Sequence, residues 1–380
     1  MRIIVFAGRG GSGTSTIAAA TACQIAESSS RTLAFGLTPG IGAALDAKLS
    51  VQTTLITKEL HAAEGHGGVS AEDEFRDWLQ MLLDFRNMDA DLGDDIAAMP
   101  GVNVVGLLLE LEALVASEEY DAIVVDAGEL RHFMDLPGAL DAAARWLERL
   151  FAPRQQTVFE PFLRAFASDQ IAAGEDVLDT GRDLLGRLAN LRDLLTDPEV
   201  SSVRLVSTAN RGAADALSEA LALLGLFSYR VDAIVANRLL PDEVNAPFFD
   251  EARAMEQASL KAIRTLEPGP RVIEVELQKA GPVGAIALSA FAVKIYDGNS
   301  ADFLSETDEH SVARDGNSYE LRVFLPFAKR DELRLEETDE GIAVHLNGRR
   351  CVLSLPEDVT YSSAKAWAYE GRFSRVTLGR

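Results

Sequence analysis

Residues Gly8–Thr16 read G-R-G-G-S-G-T-S-T. They follow the short apolar run Ile3–Ala7 and precede the Ala-rich run Ile17–Ala26. This succession predicts a buried strand, a glycine-rich turn and a helix, which is how a doubly wound α/β fold begins.

The turn matches a known phosphate-binding pattern in all but one place. Gly8, Gly13 and Ser15 fit G-x-x-x-x-G-K-[ST], whose backbone amides surround phosphate groups. The lysine position holds Thr14. The loop therefore has the backbone of an anion site and lacks its usual cation.

Composition limits the classes of protein and partner. The chain has 380 residues, a formal net charge of -23 and only two cysteines, Cys23 and Cys351. An acidic field of this size repels nucleic acid, and two cysteines exclude a cysteine-rich zinc site. No apolar run is long enough to span a bilayer. We therefore expect a cytoplasmic protein without nucleic-acid partners, zinc or an integral membrane span.

Apolar runs alternate with helical patterns along the first 298 residues. Runs that are apolar on both faces are typical of buried parallel strands, and the alternation predicts a doubly wound, mostly parallel sheet. The predicted strands are Ile3–Ala7, Thr32–Gly36, Thr53–Thr57, Ala122–Asp126, Arg204–Thr208, Asp232–Ala236 and Val272–Val275.

Other segments predict a helical subdomain and a separate tail. Ala71–Ala98 and Gly138–Pro198 have helical periodicity, and the second predicts a subdomain at about 138–200. Residues 299–317 are polar and predict a linker. Residues 318–380 have short alternating runs and an Asn347-Gly348 turn, which predict a small antiparallel β-sandwich.

Two further motifs stand in order behind the loop. Asp126 ends an apolar strand, and Asn237-Arg238-Leu239-Leu240-Pro241 ends a later one. With the loop, this set resembles the arsenical-pump-driving ATPases, a family that also includes the ATPases targeting tail-anchored membrane proteins. The resemblance implies a P-loop NTPase of the SIMIBI type, and the tail resembles a small-heat-shock-protein-like domain.

The resemblance implies a homodimer that uses ATP or ADP with Mg²⁺ and holds an apolar client, such as a membrane-protein segment. It places Asn237 on the adenine side, and Arg238 beside it is a further expected nucleotide-binding residue. Backbone amides can hold the phosphates, while the Ser15 hydroxyl and Asp126 can hold Mg²⁺. The expected phosphate-binding residues are Gly8, Gly10, Gly11, Ser12, Gly13, Thr14, Ser15 and Thr16.

The departures from the family concern hydrolysis. Its first loop lysine, which reaches the partner's nucleotide, is Arg9 here, and its second is Thr14. Thr38 stands where the water-orienting aspartate belongs, and the zinc-binding C-x-x-C pair is absent. Loss of one such group costs about 3 kcal/mol of barrier, roughly a hundredfold in rate. We therefore predict weak or absent hydrolysis.

Several side chains keep two interpretations. Arg9 either acts as a catalytic cation in the partner's site, beside Asp126, or pairs with acidic groups of its own chain. Glu129 is either a replacement carboxylate or a solvated one, and the second-switch His132 is either functional or structural. His61 and His66 make a poor zinc site.

The tail aromatic residues and the function also keep alternatives. Trp367, Tyr369 and Phe373 line a groove for apolar strands or fill the sandwich core. The first hypothesis is a nucleotide-binding protein with weak hydrolysis that holds apolar clients. The alternatives are an active ATPase that uses Arg9 in trans, and a scaffold or chaperone that binds no nucleotide.

Overall fold

A computed structural model describes most of the chain. It covers residues 1–28, 31–46, 55–58, 77–78, 102–151, 171–266, 270–304, 310–315, 318–328, 332–338, 341–354, 363–370 and 373–379. The predicted helical segment Ala71–Ala98 lies almost wholly outside these residues.

Within the described residues, one seven-stranded sheet forms the centre of the molecule. Its order is β3-β2-β4-β1-β5-β6-β7, and every neighbouring pair is parallel. All seven predicted strands are confirmed. The strands are β1 Arg2–Gly8, β2 Thr32–Gly36, β3 Leu55–Lys58, β4 Ala122–Glu129, β5 Ser201–Thr208, β6 Val231–Leu239 and β7 Arg271–Glu276.

Helices cover both faces of this sheet, because the strand side chains are apolar on both sides. Along β1, Ile4 and Phe6 face one layer, whereas Ile3 and Val5 face the other. The first layer contains α1 (Thr14–Glu27), α2 (Gly40–Leu45) and α9 (Ala285–Tyr296). The second contains α3 (Val102–Ala116), α4 (Leu130–Phe133), α5 (Leu136–Phe151), α6 (Ile171–Thr196), α7 (Ala213–Leu226) and α8 (Asp250–Arg264). The doubly wound fold class is confirmed.

The tail forms two small antiparallel sheets. The first has the order β10-β11-β12 and the second β13-β14-β9-β8. Asn347 and Gly348 both have positive φ, 50° and 78°, which confirms the predicted tight hairpin between β11 and β12. The strands are β8 Ser311–Asp315, β9 Ser318–Phe324, β10 Leu333–Thr338, β11 Gly341–Leu346, β12 Arg349–Ser354, β13 Ser363–Glu370 and β14 Phe373–Gly379.

The structure describes residues 299–304 and 310–315 of the predicted linker, and both pieces contact the rest of the chain. The segment contains strand β8 at its far end, and at its near end Ala301 is 1% exposed. The Phe303 carbonyl accepts hydrogen bonds from Arg2 Nη2 and Arg204 Nη2, both at 3.2 Å. Its ring lies over the Arg204 guanidinium at 4.2 Å. The polar composition of the segment does not indicate these contacts, because both hydrogen bonds use the backbone carbonyl of Phe303.

A buried ion network underlies that segment. Arg204 and Asp232 are both 0% exposed, and Arg204 Nε lies 3.0 Å from Asp232 Oδ1. Asp232 Oδ2 also accepts from Ser202 Oγ at 2.7 Å and Arg2 Nη2 at 3.1 Å. Each buried charge has partners, as burial of charge requires.

Candidate nucleotide site

The glycine-rich turn lies at the carboxyl end of the central strand β1. Gly11 and Gly13 have φ of 77° and 89°, which residues with a side chain rarely adopt. A Cβ at Gly13 would lie 2.6 Å from Asn237 Nδ2. That amide donates to the Ser12 carbonyl at 2.7 Å. The turn therefore requires glycine at position 13 for its conformation and for space.

The turn leaves a row of backbone donors open. Ser12 N donates to Arg9 O at 2.9 Å, and Ile17 N donates to Gly13 O at 3.0 Å. Open amides at a helix N-terminus form an anion-binding arrangement. Among the described residues, no acceptor is found for the amides of Gly10, Gly11, Gly13, Thr14, Ser15 and Thr16.

The Thr14 side chain turns back under the loop. Its Oγ1 lies 3.0 Å from Ser12 Oγ, and both residues are buried. A Cβ at Gly8 would lie 2.2 Å from Thr14 Oγ1 and 2.7 Å from Ser12 Oγ. The hydroxyl pair fills the space beside Gly8, so position 14 contributes packing and no charge.

A cation reaches the same turn from another strand. Arg238 is exposed and has φ of 63°, an uncommon value for a residue with a long side chain. Its Nε and Nη2 lie 3.7 and 3.9 Å from the position of a Cβ on Gly13. The guanidinium thus stands beside the glycine that begins α1.

Two oxygen donors meet at the edge of the turn. Asp126 is 0% exposed; its Oδ1 accepts from Gly128 N at 3.1 Å, and its Oδ2 has no hydrogen-bond partner among the described residues. Burial raises the pKa of the Asp126 carboxyl, opposed by the nearby Ser15 hydroxyl and the Gly128 amide. A Cβ at Gly40 would lie 2.2 Å from Ser15 Oγ and 3.4 Å from Asp126 Oδ2.

This donor set fits a magnesium ion. Mg²⁺ takes oxygen ligands and is commonly held by one or two protein groups together with phosphates and water. An orphaned, buried carboxylate oxygen is costly without a partner, and a cation at this place would satisfy Asp126 Oδ2. The predicted pair Ser15 and Asp126 is brought together by the fold.

Comparison with known proteins identifies the family of this chain. The sequence profile of the family described as anion-transporting ATPase matches residues 1–297. The chain belongs to that family.

Relatives of this ATPase-family chain share its length. A protein named "Putative arsenical pump-driving ATPase" from Prosthecochloris vibrioformis is 26% identical over 95% of this chain and 91% of its own length. One of the same name from Chlorobaculum tepidum has the same identity and coverage. "Putative arsenical pump-driving ATPase 1" from Aquifex aeolicus is 22% identical over 94% of each chain. The P-loop NTPase fold and the family predicted from the sequence are confirmed.

The two segments predicted to act as switches lie together, at Thr38 and Gly128. A Cβ at Gly128 would lie 2.7 Å from Thr38 Cγ2. Glu129 and His132 form a loose pair, with Oε2 and Nδ1 4.0 Å apart and side chains 52% and 77% exposed. Their exposure favours the solvated interpretation of Glu129.

Arg9 lies at the turn and contacts the loop after β5, and its predicted role in a partner's site stays a prediction. Its Nη1 donates to Asn210 Oδ1 at 2.8 Å, on the loop after β5. In the described part of this ATPase-family chain, it therefore binds a neutral amide and no acidic group.

The remaining predicted residues contribute little to the site. His61 and His66 lie outside the described residues, as do the side chains of Trp367 and Tyr369. Phe373 is half-buried and packs on Phe324, with ring centroids 5.5 Å apart.

The described residues contain neither a metal-binding cluster nor a membrane-spanning helix. Over the ranges that the structure describes, no group of three or more His, Cys, Asp or Glu side chains is arranged to hold a metal ion. None of the helices in those same ranges combines the length and apolarity needed to cross a bilayer.

Proposed function

We propose that the protein binds a nucleoside di- or triphosphate with Mg²⁺ and hydrolyses it slowly or not at all. The observation that carries the proposal is the open row of amides at residues 10–16 beside the orphaned Asp126 Oδ2. Family membership supports a nucleotide as the anion. The amide row and Asp126 support binding of a nucleotide, and they do not support its hydrolysis.

Different groups of the chain contribute to binding of the phosphates and of Mg²⁺. The amides of the turn hold the phosphates, and the α1 terminus favours negative charge there. Arg238 supplies the positive charge that Thr14 lacks, because its guanidinium lies beside Gly13. Asn237 keeps the turn open through its bond to the Ser12 carbonyl. A bound Mg²⁺ would neutralise phosphate charge, held by Ser15 and Asp126.

Slow hydrolysis follows from two replacements. Thr14 places a buried hydroxyl where a charged ammonium would neutralise the transferred phosphoryl group. Thr38 stands where the family has its water-orienting aspartate and lies beside Gly128 of the second switch segment, and its side chain has no carboxylate to orient water. Each loss costs about 3 kcal/mol of barrier, so together they reduce the rate by roughly ten-thousandfold if they act independently.

The primary experiment is calorimetry with Mg-ADP and Mg-ATP, followed by a phosphate-release assay. We expect saturable binding and turnover near the buffer background. Arg238→Ala should weaken nucleotide binding by about tenfold or more, the value of one charge-assisted contact. Arg182→Ala is the matched control, since Arg182 lies exposed on α6 with Asp179. Absence of binding to either nucleotide would leave the scaffold alternative.

Two further variants separate a binding protein from an active ATPase. If Arg9 works in the partner's site, Arg9→Ala should abolish a measurable turnover. Thr14→Lys should raise turnover if the missing lysine is the limiting group. Robust wild-type turnover that Arg9→Ala removes would support the ATPase alternative.

The client and the homodimer stay predictions. Helices α5 and α6 of the predicted subdomain pack against one another, while residues 152–170 between them lie outside the described structure. Apolar peptides should protect residues 138–198 from hydrogen exchange, and light scattering should give the mass of a dimer. Unchanged exchange there would refute the client groove.

A further inference from the structure

A second candidate site lies where the helices beside the main sheet meet the tail, and no residue of the glycine-rich turn lines it. A half-open cavity of about 450 Å³ is lined by α5, α6 and the end of α7 on one side and by β8, β9 and β12 on the other. This volume falls within the range of small-molecule pockets, roughly 300–1,000 Å³. Both parts of the chain contribute walls, so an occupant would contact both.

The cavity contains a buried donor that lacks an acceptor. Tyr229 lines the wall and is 4% exposed, and within the described residues its Oη has no hydrogen-bond partner. Burial raises the pKa of the Tyr229 hydroxyl, so it stays protonated and can donate. An unpaired buried hydroxyl is costly, whereas an acceptor in the cavity would satisfy it.

A cation stands in the same wall. Arg192 lines the cavity; its Nη2 and Nε bind the exposed Asp193 at 2.7 and 3.0 Å. Its Nη1 lies 3.6 Å from Asp141 Oδ1, beyond hydrogen-bond range. Asp141 is already bonded to Arg145. Asp141 and Asp193 balance the charges of Arg145 and Arg192, and within the described residues Arg192 Nη1 keeps no hydrogen-bond acceptor, so it can donate to a ligand.

The other polar groups of the wall are occupied. Phe324 N donates to His310 Nδ1 at 2.9 Å, so Nε2 carries the proton and donates to the Leu226 carbonyl at 3.1 Å. The Cys351 thiol donates to the same carbonyl at 3.6 Å, and burial raises its pKa to about 12. Neither side chain is a free base or nucleophile. The rest of the lining is largely apolar, including Phe227 and Val312.

We infer that this cavity binds a small amphipathic carboxylate, whose carboxylate accepts hydrogen bonds from Tyr229 and Arg192 and whose apolar body fills the space against the tail. The donor pair selects an anionic acceptor, and the apolar lining selects a hydrocarbon body. Because both parts of the chain form the walls, the ligand strengthens the docking of the tail.

The test titrates octanoate into the full-length protein by calorimetry. We expect saturable binding and a rise in Tm with octanoate. Tyr229→Phe removes only the unpaired hydroxyl, so the empty variant should fold as stably as the wild type or better. It should bind octanoate about tenfold more weakly or worse. Tyr120→Phe is the matched control at another buried tyrosine, outside this wall.

A second pair of measurements tests the charge. Octan-1-ol should bind more weakly than octanoate, and Arg192→Met should remove that difference. Octanoate should protect residues 226–229 and 310–313 from hydrogen exchange and leave Mg-ADP binding unchanged. The inference is overturned by non-saturable binding, by equal octanoate affinity in Tyr229→Phe and wild type, or by octan-1-ol binding as tightly as octanoate.

Discussion

Substitution of Gly13 by alanine should cost both stability and nucleotide binding, and the chain contains a matched position that separates the causes. Gly13 and Gly212 each precede a 14-residue helix, with φ of 89° and 77°. A Cβ at Gly13 would meet Asn237 Nδ2 at 2.6 Å, whereas one at Gly212 would meet nothing within 4 Å. The two variants share backbone strain and differ in the collision.

The expected losses of stability follow from the backbone strain and from the collision with Asn237. A side chain in the left-handed region costs about 1–2 kcal/mol, which is the whole expected loss for Gly212→Ala. Gly13→Ala must also displace Asn237 and leave the buried Ser12 carbonyl without its donor, which adds about 1–3 kcal/mol. We therefore expect a total of about 2–5 kcal/mol for Gly13→Ala.

Urea unfolding at neutral pH without nucleotide measures both losses, and calorimetry with Mg-ADP measures binding. Gly212→Ala should keep wild-type affinity because its helix lies away from the amide row. Equal losses of stability in the two variants would show that the Asn237 contact does not restrain the turn. Wild-type affinity in Gly13→Ala would refute the role of the turn in nucleotide binding.

Three other substitutions, the last with a control variant, test the core, the site and the tail. Asp232→Asn should cost about 3–5 kcal/mol in urea unfolding, because the buried Arg204 loses its counter-charge; a loss below about 1 kcal/mol would contradict the network's role. Burial raises the pKa of the Asp126 carboxyl in the folded state above its ordinary value of 3.8. The protonated carboxyl therefore adds stability below pH 3.8, and this stability is lost as the pH rises through the pKa of the folded state. Asp126→Asn should therefore raise the urea midpoint at pH 7, and this gain in stability should shrink as the pH falls. The same substitution should weaken Mg²⁺-dependent nucleotide binding. A gain in stability that grows toward low pH would contradict a raised pKa at Asp126. Gly225→Ala places a Cβ 2.8 Å from Pro326 Cδ and should speed proteolysis of the tail, whereas Gly186→Ala in open helix surface should stabilise by about 1 kcal/mol; equal proteolysis rates would show that the tail does not dock there.

The sheet was predictable because its strands are apolar on both faces and short. Ile3–Ala7 and Asp232–Ala236 have no competing helical period, and both lie inside the observed strands. The hairpin at Asn347-Gly348 was predictable for a different reason, since both residues tolerate positive φ. Strand β8 was not foreseen, because Ser311–Asp315 has only two apolar residues in a polar stretch.

The site was predictable in composition and only partly in geometry. The loop, Asp126 and Asn237 follow from motif order. The approach of Arg238 to Gly13 depends on a left-handed backbone at a residue without any special sequence signal. The cavity at Tyr229 depends on how the tail docks, and contacts between distant segments leave no periodic trace in a single sequence.

The contacts of Phe303 with Arg2 and Arg204 limit where the tail of this chain can be removed or exchanged during evolution. The family match stops at residue 297, but the pair of buried guanidinium groups is capped by a carbonyl six residues further on. A chain shortened at residue 297 would remove this acceptor from Arg2 and Arg204, so we expect a stable truncated chain to need residues through 304. A recombined protein that keeps residues 298–304 and receives a different tail after them should therefore fold.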